Sequence, residues 1–202
     1  MKNAGKICYR GGMKKTKVES NPNERVSPNK RDRHSLTVVL SSYKSQIETM
    51  NDWVIQAALR YPIWVLDMGN CFDPLRLVRP IRRRTVQIQT VLERIRGARA
   101  FTCFQVVSLL GQTQNPEGQI FILDLLTTFS DEVIPAQNRN TLLRQMLFHI
   151  HRLRQSVPIV LTTGNPRHLE ALPVGTLNYL KKQASQVIAV STPVNPQPAT
   201  LF

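Results

Sequence analysis

The sequence predicts a three-layer αβα sandwich built on a mostly parallel β-sheet. Three observations predict it. Short, continuous apolar runs recur at residues 36–41 (LTVVLS), 63–67 (IWVLD), 120–126 (IFILDLL) and 158–163 (PIVLTT). Segments with 3.6-residue apolar periodicity stand between them. The runs do not alternate apolar with polar, the pattern of strands buried on both faces. Right-handed crossovers then place helices on both sides of the sheet.

The elements follow in order. After the 36–41 strand, Ile47, Met50, Trp53, Val54, Ala57 and Ala58 mark one face of a helix that Pro62 ends. Residues 63–67 form the second strand. Residues 70–84 read as a loop or short helix broken by Pro74 and Pro80. Val86, Ile88, Val91, Leu92 and Ile95 mark a helix that Gly97 stops. A strand at 98–103 (ARAFTC), a short helix at 104–110 and a polar turn at 111–118 come next. The most apolar strand is 120–126, and a loop follows at 130–140. Leu142, Leu143, Met146, Leu147, Ile150 and Leu153 line a helix over 141–155, before the strand at 158–163. The segment 176–191 has two readings: a hairpin around Gln183, Ala184 and Ser185, or a helix in its first half.

The chain has 202 residues, with 27 Lys and Arg against 13 Asp and Glu, a net charge of +14. At 42% hydrophobic and 20% charged residues, the composition is that of a chain with a core. No run approaches the roughly 18 apolar residues of a membrane span, so no membrane partner is expected. Cys8, Cys71 and Cys103 form no CxxC pair. They spell neither a disulfide framework nor a zinc site, and a reducing cytoplasm is the expected location. The N-terminus has no apolar signal-peptide core, and Met13 opens a reading as well as Met1 does.

Residues 1–34 carry ten Lys and Arg against three acids. That is half the net charge in a stretch without apolar periodicity, the composition of a disordered basic tail. One domain is expected over 35–191, with a frayed tail at 192–202. A strong basic excess points to a polyanion, and above all to nucleic acid, because each neutralised phosphate releases counterions.

In sheets of this class, ligands bind beyond the carboxyl ends of the strands. Those ends carry Asp67, Gly69, Asp124, Thr162 and Thr163. Two strand-end acids suggest a nucleotide and magnesium site, with Phe121-Ile122-Leu123-Asp124 spelled like a Walker B strand.

From here the chain resembles the core of the RecA-like recombinases, especially their archaeal and eukaryotic branch with its paralogues. Residues 65–77 (VLDMGNCFDPLRL) are similar to that branch's IDTEGTFRPERL, and 95–101 (IRGARAF) to its I-x-x-A-R-A-Y strand. Residues 121–128 resemble its Walker B strand and turn, Arg144-Gln145-Met146 a helix-opening triplet, and 158–163 its V-A-V-V-I-T-N-Q strand. Residues 177–190 resemble its terminal β-hairpin. The resemblance spans about 35–191 and implies a P-loop NTPase fold acting in DNA repair and recombination.

The departures from that pattern set the mechanism. A P-loop needs G-x-x-x-x-G-K-S/T, whose glycines let backbone N–H groups surround the phosphates. Here Lys44-Ser45 matches only the last pair, and no glycine occurs between Gly12 and Gly69. Gly69 stands where the family's glutamate activates water, and Gly164 where its glutamine senses the γ-phosphate. Lys44, Ser45, Asp67, Gly69, Asp124, Thr162 and Thr163 therefore read as a degenerate nucleotide site. The expectation is a pseudo-ATPase without catalytic residue, metal or cofactor, with Asp124 hydrogen-bonded near Thr162.

The remaining chemistry is basic. Between Asp73 and Arg99 lie eight arginines and two acids. Arg82-Arg83-Arg84 reads as a helix start, where clustered cations call for an anion. Arg76, Arg79, Arg82, Arg83, Arg84, Arg94 and Arg96, with Arg167 in a later loop, are the nucleic-acid-binding candidates. His149 and His151 lack metal-ligand spacing. The leading expectation is a non-hydrolysing accessory protein that binds DNA electrostatically and also a recombinase or another repair protein. One alternative is a protein-interaction module like the SOS cell-division inhibitors, and another is a residual ATP-binding protein.

Overall fold

The computed structural model describes residues 35–41, 43–130, 134–164, 172–173 and 175–190. The basic tail at 1–34, the 192–202 tail and Arg167 lie outside the described residues, as do the side chains of Lys44 and Ser45.

Strands β1 (Leu36–Ser41), β2 (Ile63–Asp67), β3 (Ile95–Arg99), β4 (Gln119–Leu123), β5 (Ile159–Thr162) and β6 (Gln186–Val190) form one sheet in the order β3-β2-β4-β5-β1-β6. Every pairing is parallel. β4 and β5 are buried along their whole length, which is why residues 120–123 and 159–161 are unbroken apolar runs.

Helices α1 (Tyr43–Ala58), α2 (Leu75–Arg82) and α3 (Ile88–Glu93) cover one face. Their Val54, Leu77 and Val91 join Ile63, Val65 and Phe121 in one core. Helices α4 (Cys103–Gln112), α5 (Ala136–Arg154) and α6 (Thr176–Gln183) cover the other. There Val106, Met146 and Leu180 pack with Leu66, Ile122 and Leu161. The faces separate because side chains alternate along each strand while the crossovers change side after β3. No helix among the described residues is long and apolar enough to cross a membrane.

The sheet departs from the expected layout in three places. Strand β3 begins at Ile95, so Gly97 lies inside a strand and does not stop a helix. β3 is an edge strand paired only with β2, and Arg96, Gly97 and Arg99 are exposed. An edge needs no apolar run, so its sequence carries little strand signal. Of the two readings of the C-terminal segment, the helical one holds and the hairpin does not: residues Thr176–Gln183 are helical, and β6 pairs parallel with β1. The third departure concerns Arg82-Arg83-Arg84. The triplet ends α2 and does not start a helix, so the macrodipole favours its charge and removes the predicted conflict.

Three arginines close helices from outside. Arg94 Nη1 donates to the carbonyls of Ala58 (3.3 Å) and Leu59 (3.0 Å) at the end of α1. Arg152 Nη2 donates to Leu110 (2.8 Å), Gly111 (3.4 Å) and Thr113 (3.0 Å) at the end of α4. Arg154 Nη1 donates to the Gln183 carbonyl (2.9 Å) at the end of α6. Terminal carbonyls have no intrahelical donor, and each guanidinium supplies both the hydrogen and a favourable charge. Replacing Arg152 by Met, which keeps much of the stem, is expected to cost about 2 kcal/mol in thermal unfolding.

Candidate functional site

The carboxyl ends of β2, β4 and β5 are joined beyond the strands themselves. Met68 N donates to Leu123 O (2.9 Å), Leu125 N to Thr162 O (3.0 Å) and Leu126 N to Thr163 O (3.2 Å). This zipper brings Asp67, Gly69, Asp124, Thr162 and Thr163 to one edge, as the strand-end reading expects.

Asp67 is 2% exposed. Its Oδ1 accepts hydrogen bonds from Gly69 N (3.3 Å) and Cys71 N (3.1 Å). Its Oδ2 accepts from Phe72 N (3.1 Å) and Arg99 Nε (2.8 Å). Arg99 Nη2 also donates to the Phe72 carbonyl (2.5 Å). The carboxylate therefore folds the 69–72 turn back onto the strand end. Both oxygens are committed, and binding a cation here would mean giving up these donors.

The role of Arg99 follows from register: it is paired with Asp67 at the ends of two adjacent parallel strands. Arg99 is not among the site residues expected from sequence. The available signal was that both residues close strands with a charge.

Asp124 is 3% exposed and adopts φ +52°, a left-handed conformation uncommon outside glycine. Its backbone N–H donates to Thr162 Oγ1 (2.7 Å), and that hydroxyl donates to Asp124 Oδ1 (3.0 Å). The expected Asp124–Thr162 contact is thus present as a reciprocal pair. A Cβ on Gly69 would lie 2.3 Å from Asp124 Cβ and 2.9 Å from its Oδ2. Asp124 occupies the space in which a side chain at position 69 would begin. Gly164 is similar: it has φ +101°, and its Cβ would meet Thr127 Oγ1 at 2.5 Å. Both glycines are required by packing.

Thr163 is buried, and the backbone of Lys44 and Ser45 lies in the first turn of α1. Ile47, Met50, Asn51, Cys71, Leu123, Asp124 and Thr162 line a cavity of about 220 Å³, counting space open to solvent. The part comparable with a closed cavity is only about 10 Å³, room for about one water molecule. Burial pushes the Cys71 thiol up, and the carboxylates of Asp124 and Asp67 push it further. The sulfur is therefore held as a thiol, a weak nucleophile. No three His, Cys, Asp or Glu side chains gather as metal ligands among the described residues.

The arginine candidates divide by partner. Arg94 caps α1, and Arg84 pairs with Asp52 on that helix at 2.8 Å. Arg96 lies over the Trp64 ring, 5.6 Å from its centroid. Arg76 pairs loosely with Asp73 at 3.4 Å and remains largely exposed. Arg79, Arg82 and Arg83 are exposed on α2 and its end. Among the described residues, no ion pair joins those three to a carboxylate. The structure therefore leaves Arg76, Arg79, Arg82 and Arg83 turned to solvent and ties Arg84, Arg94 and Arg96 to the fold.

His149 lies on α5 beside Gly111, and its ring stands edge-on to Phe148 at 5.5 Å. Burial, then the Arg152 charge, holds its pKa below the usual histidine value. It fills the α4–α5 contact, and it belongs to no cluster of three metal-ligand side chains among the described residues.

These features define an all-parallel, three-layer α/β protein with a buried polar cluster at the strand ends and a cationic helix beside it. Compared with known proteins, the chain matches no family model and no curated sequence.

Proposed function

We propose that this chain is a non-hydrolysing, RecA-like accessory protein of DNA repair or recombination that holds DNA by charge. The carrying observation is the set Arg79, Arg82 and Arg83, exposed on α2 and its C-terminal end without a carboxylate partner among the described residues. Arginine on a helix flank suits phosphate through its paired N–H donors, and several together give salt-dependent affinity. The basic tail and Arg167 add to the same positive balance.

The RecA-like part of the reading is supported by order. The stretches similar to that family's strands fall on β2, β3, β4 and β5 in sequence. The residues at the positions of its catalytic glutamate and glutamine are glycines confined by Asp124 and Thr127. A pseudo-ATPase with a cytoplasmic, DNA-directed role and a recombinase partner is consistent with that arrangement. The 176–190 segment lends no support, because it forms a helix and a parallel strand.

The test is a DNA titration of the full chain across a salt series. Affinity should fall more than tenfold between about 50 and 200 mM salt, with a linear log–log dependence. Binding that is absent, or indifferent to salt, contradicts the proposal. Capture of an acidic protein from nuclease-treated lysate, without DNA affinity, would favour the interaction-module alternative.

A further inference from the structure

We propose that the corner where β3 runs into α4 is a stacking platform for unpaired nucleotides, so that single-stranded DNA is held in preference to duplex. This rests on the DNA reading above and adds the strand state of the ligand.

Two rings stand in solvent at this corner: Phe101 is 63% exposed and Phe104 is 57% exposed. The backbone beneath them is fixed. Thr102 caps α4 by accepting from Gln105 N (3.2 Å), and Gln105 Oε1 accepts from Phe101 N (2.8 Å). Cys103 and Val106 supply the buried contacts of the turn. The two phenylalanines therefore lie mostly outside the core. Among the described residues, neither has an aromatic partner. A single exposed apolar residue is ordinary on a protein surface. Two rings three residues apart on a fixed turn, next to cations, form a more specific arrangement.

The cations lie along the same edge. Arg99, two residues before Phe101, keeps 37% of its side chain exposed while bonded to Asp67 and the Phe72 carbonyl. From Phe72 the chain passes through Asp73 to Arg76, the exposed arginine that opens the α2 series. Rings and guanidinium groups thus share the carboxyl edge of β2 and β3. Duplex DNA offers this edge only phosphates, because its base faces are already stacked. An unpaired strand offers both phosphates and free π-faces, and aromatic stacking accepts any base. The platform lies outside the crevice occupied by Asp67 and Asp124.

The experiment compares the full chain with the Phe101→Ala/Phe104→Ala variant. The probes are a labelled thymidine oligomer of about 20 nucleotides and a duplex of equal length, a span longer than single-strand site sizes of roughly 4–16 nucleotides. The wild type should prefer the single strand. The variant should lose about tenfold or more of its affinity for that strand and less than about twofold for duplex. Its unfolding midpoint should be unchanged, since both rings are exposed, and Phe101→Tyr/Phe104→Tyr should keep the preference. A wild-type preference for duplex, an equal loss on both probes, or no loss on either overturns the inference. The last two leave DNA binding itself standing. If the wild type binds neither probe, the DNA reading fails first and the inference falls with it.

Discussion

Replacing Asp67 by Asn is expected to destabilise the fold by about 3–5 kcal/mol, the range for breaking a buried charged pair. The side chain accepts three backbone N–H groups and the Arg99 guanidinium from a site that is 2% exposed. An amide keeps the volume but removes the charge and turns donors toward donors. The lower part of the range is the better guide, because Arg99 is itself partly exposed and can regain water. Chemical denaturation should show the loss in the midpoint with an unchanged slope. Arg99→Met should show a smaller loss, because the three backbone donors keep their acceptor. A near-neutral Asp67→Asn would mean that Asp67 is not the anchor of the 69–72 turn.

Restoring a carboxylate at position 69 should be the second costly change. Gly69→Glu puts a Cβ where Asp124 Cβ lies 2.3 Å away, and the contact is with the base of that side chain. Overpacking alone costs roughly 1–3 kcal/mol, and a second carboxylate beside buried Asp124 adds repulsion. About 3 kcal/mol or more is expected in the same denaturation measurement, with no gain of ATP hydrolysis. Gly69→Ala isolates the packing part and should lose less. If Gly69→Glu were as stable as the wild type, Asp124 would have to move aside easily, and the crevice would be an adaptable pocket.

These two residues show how far sequence reasoning reached. Asp67 and Asp124 were legible as acids closing apolar strands, since a buried strand advertises itself by composition. Their partners were not legible. Arg99 reaches Asp67 through the register of β2 and β3, and Gly69 meets Asp124 because β2 pairs with β4. Both facts arise from non-local pairing, which no local pattern encodes. The same limit explains why the end of the chain allowed a hairpin reading beside the helical one. Only Ala184 and Ser185 separate α6 from β6, a connection as short as a hairpin turn. The strand's true partner, β1, lies far away in sequence. The arginines differ again. Their density was plain, but its meaning depends on which carbonyl or carboxylate each one meets. Arg94, Arg152 and Arg154 proved to be helix caps.

The basic charge thus divides into arginines that hold the fold and arginines left free for phosphate. The most direct test of this division is a DNA titration over a salt series with the Arg79→Ala/Arg82→Ala/Arg83→Ala chain beside the wild type, with unfolding midpoints recorded for both. Affinity should fall at least about tenfold, and the log–log salt slope should become shallower by about 2–3, near one unit per lost phosphate contact. The unfolding midpoint should stay in place. Unchanged affinity and slope in a variant that folds normally would contradict this division.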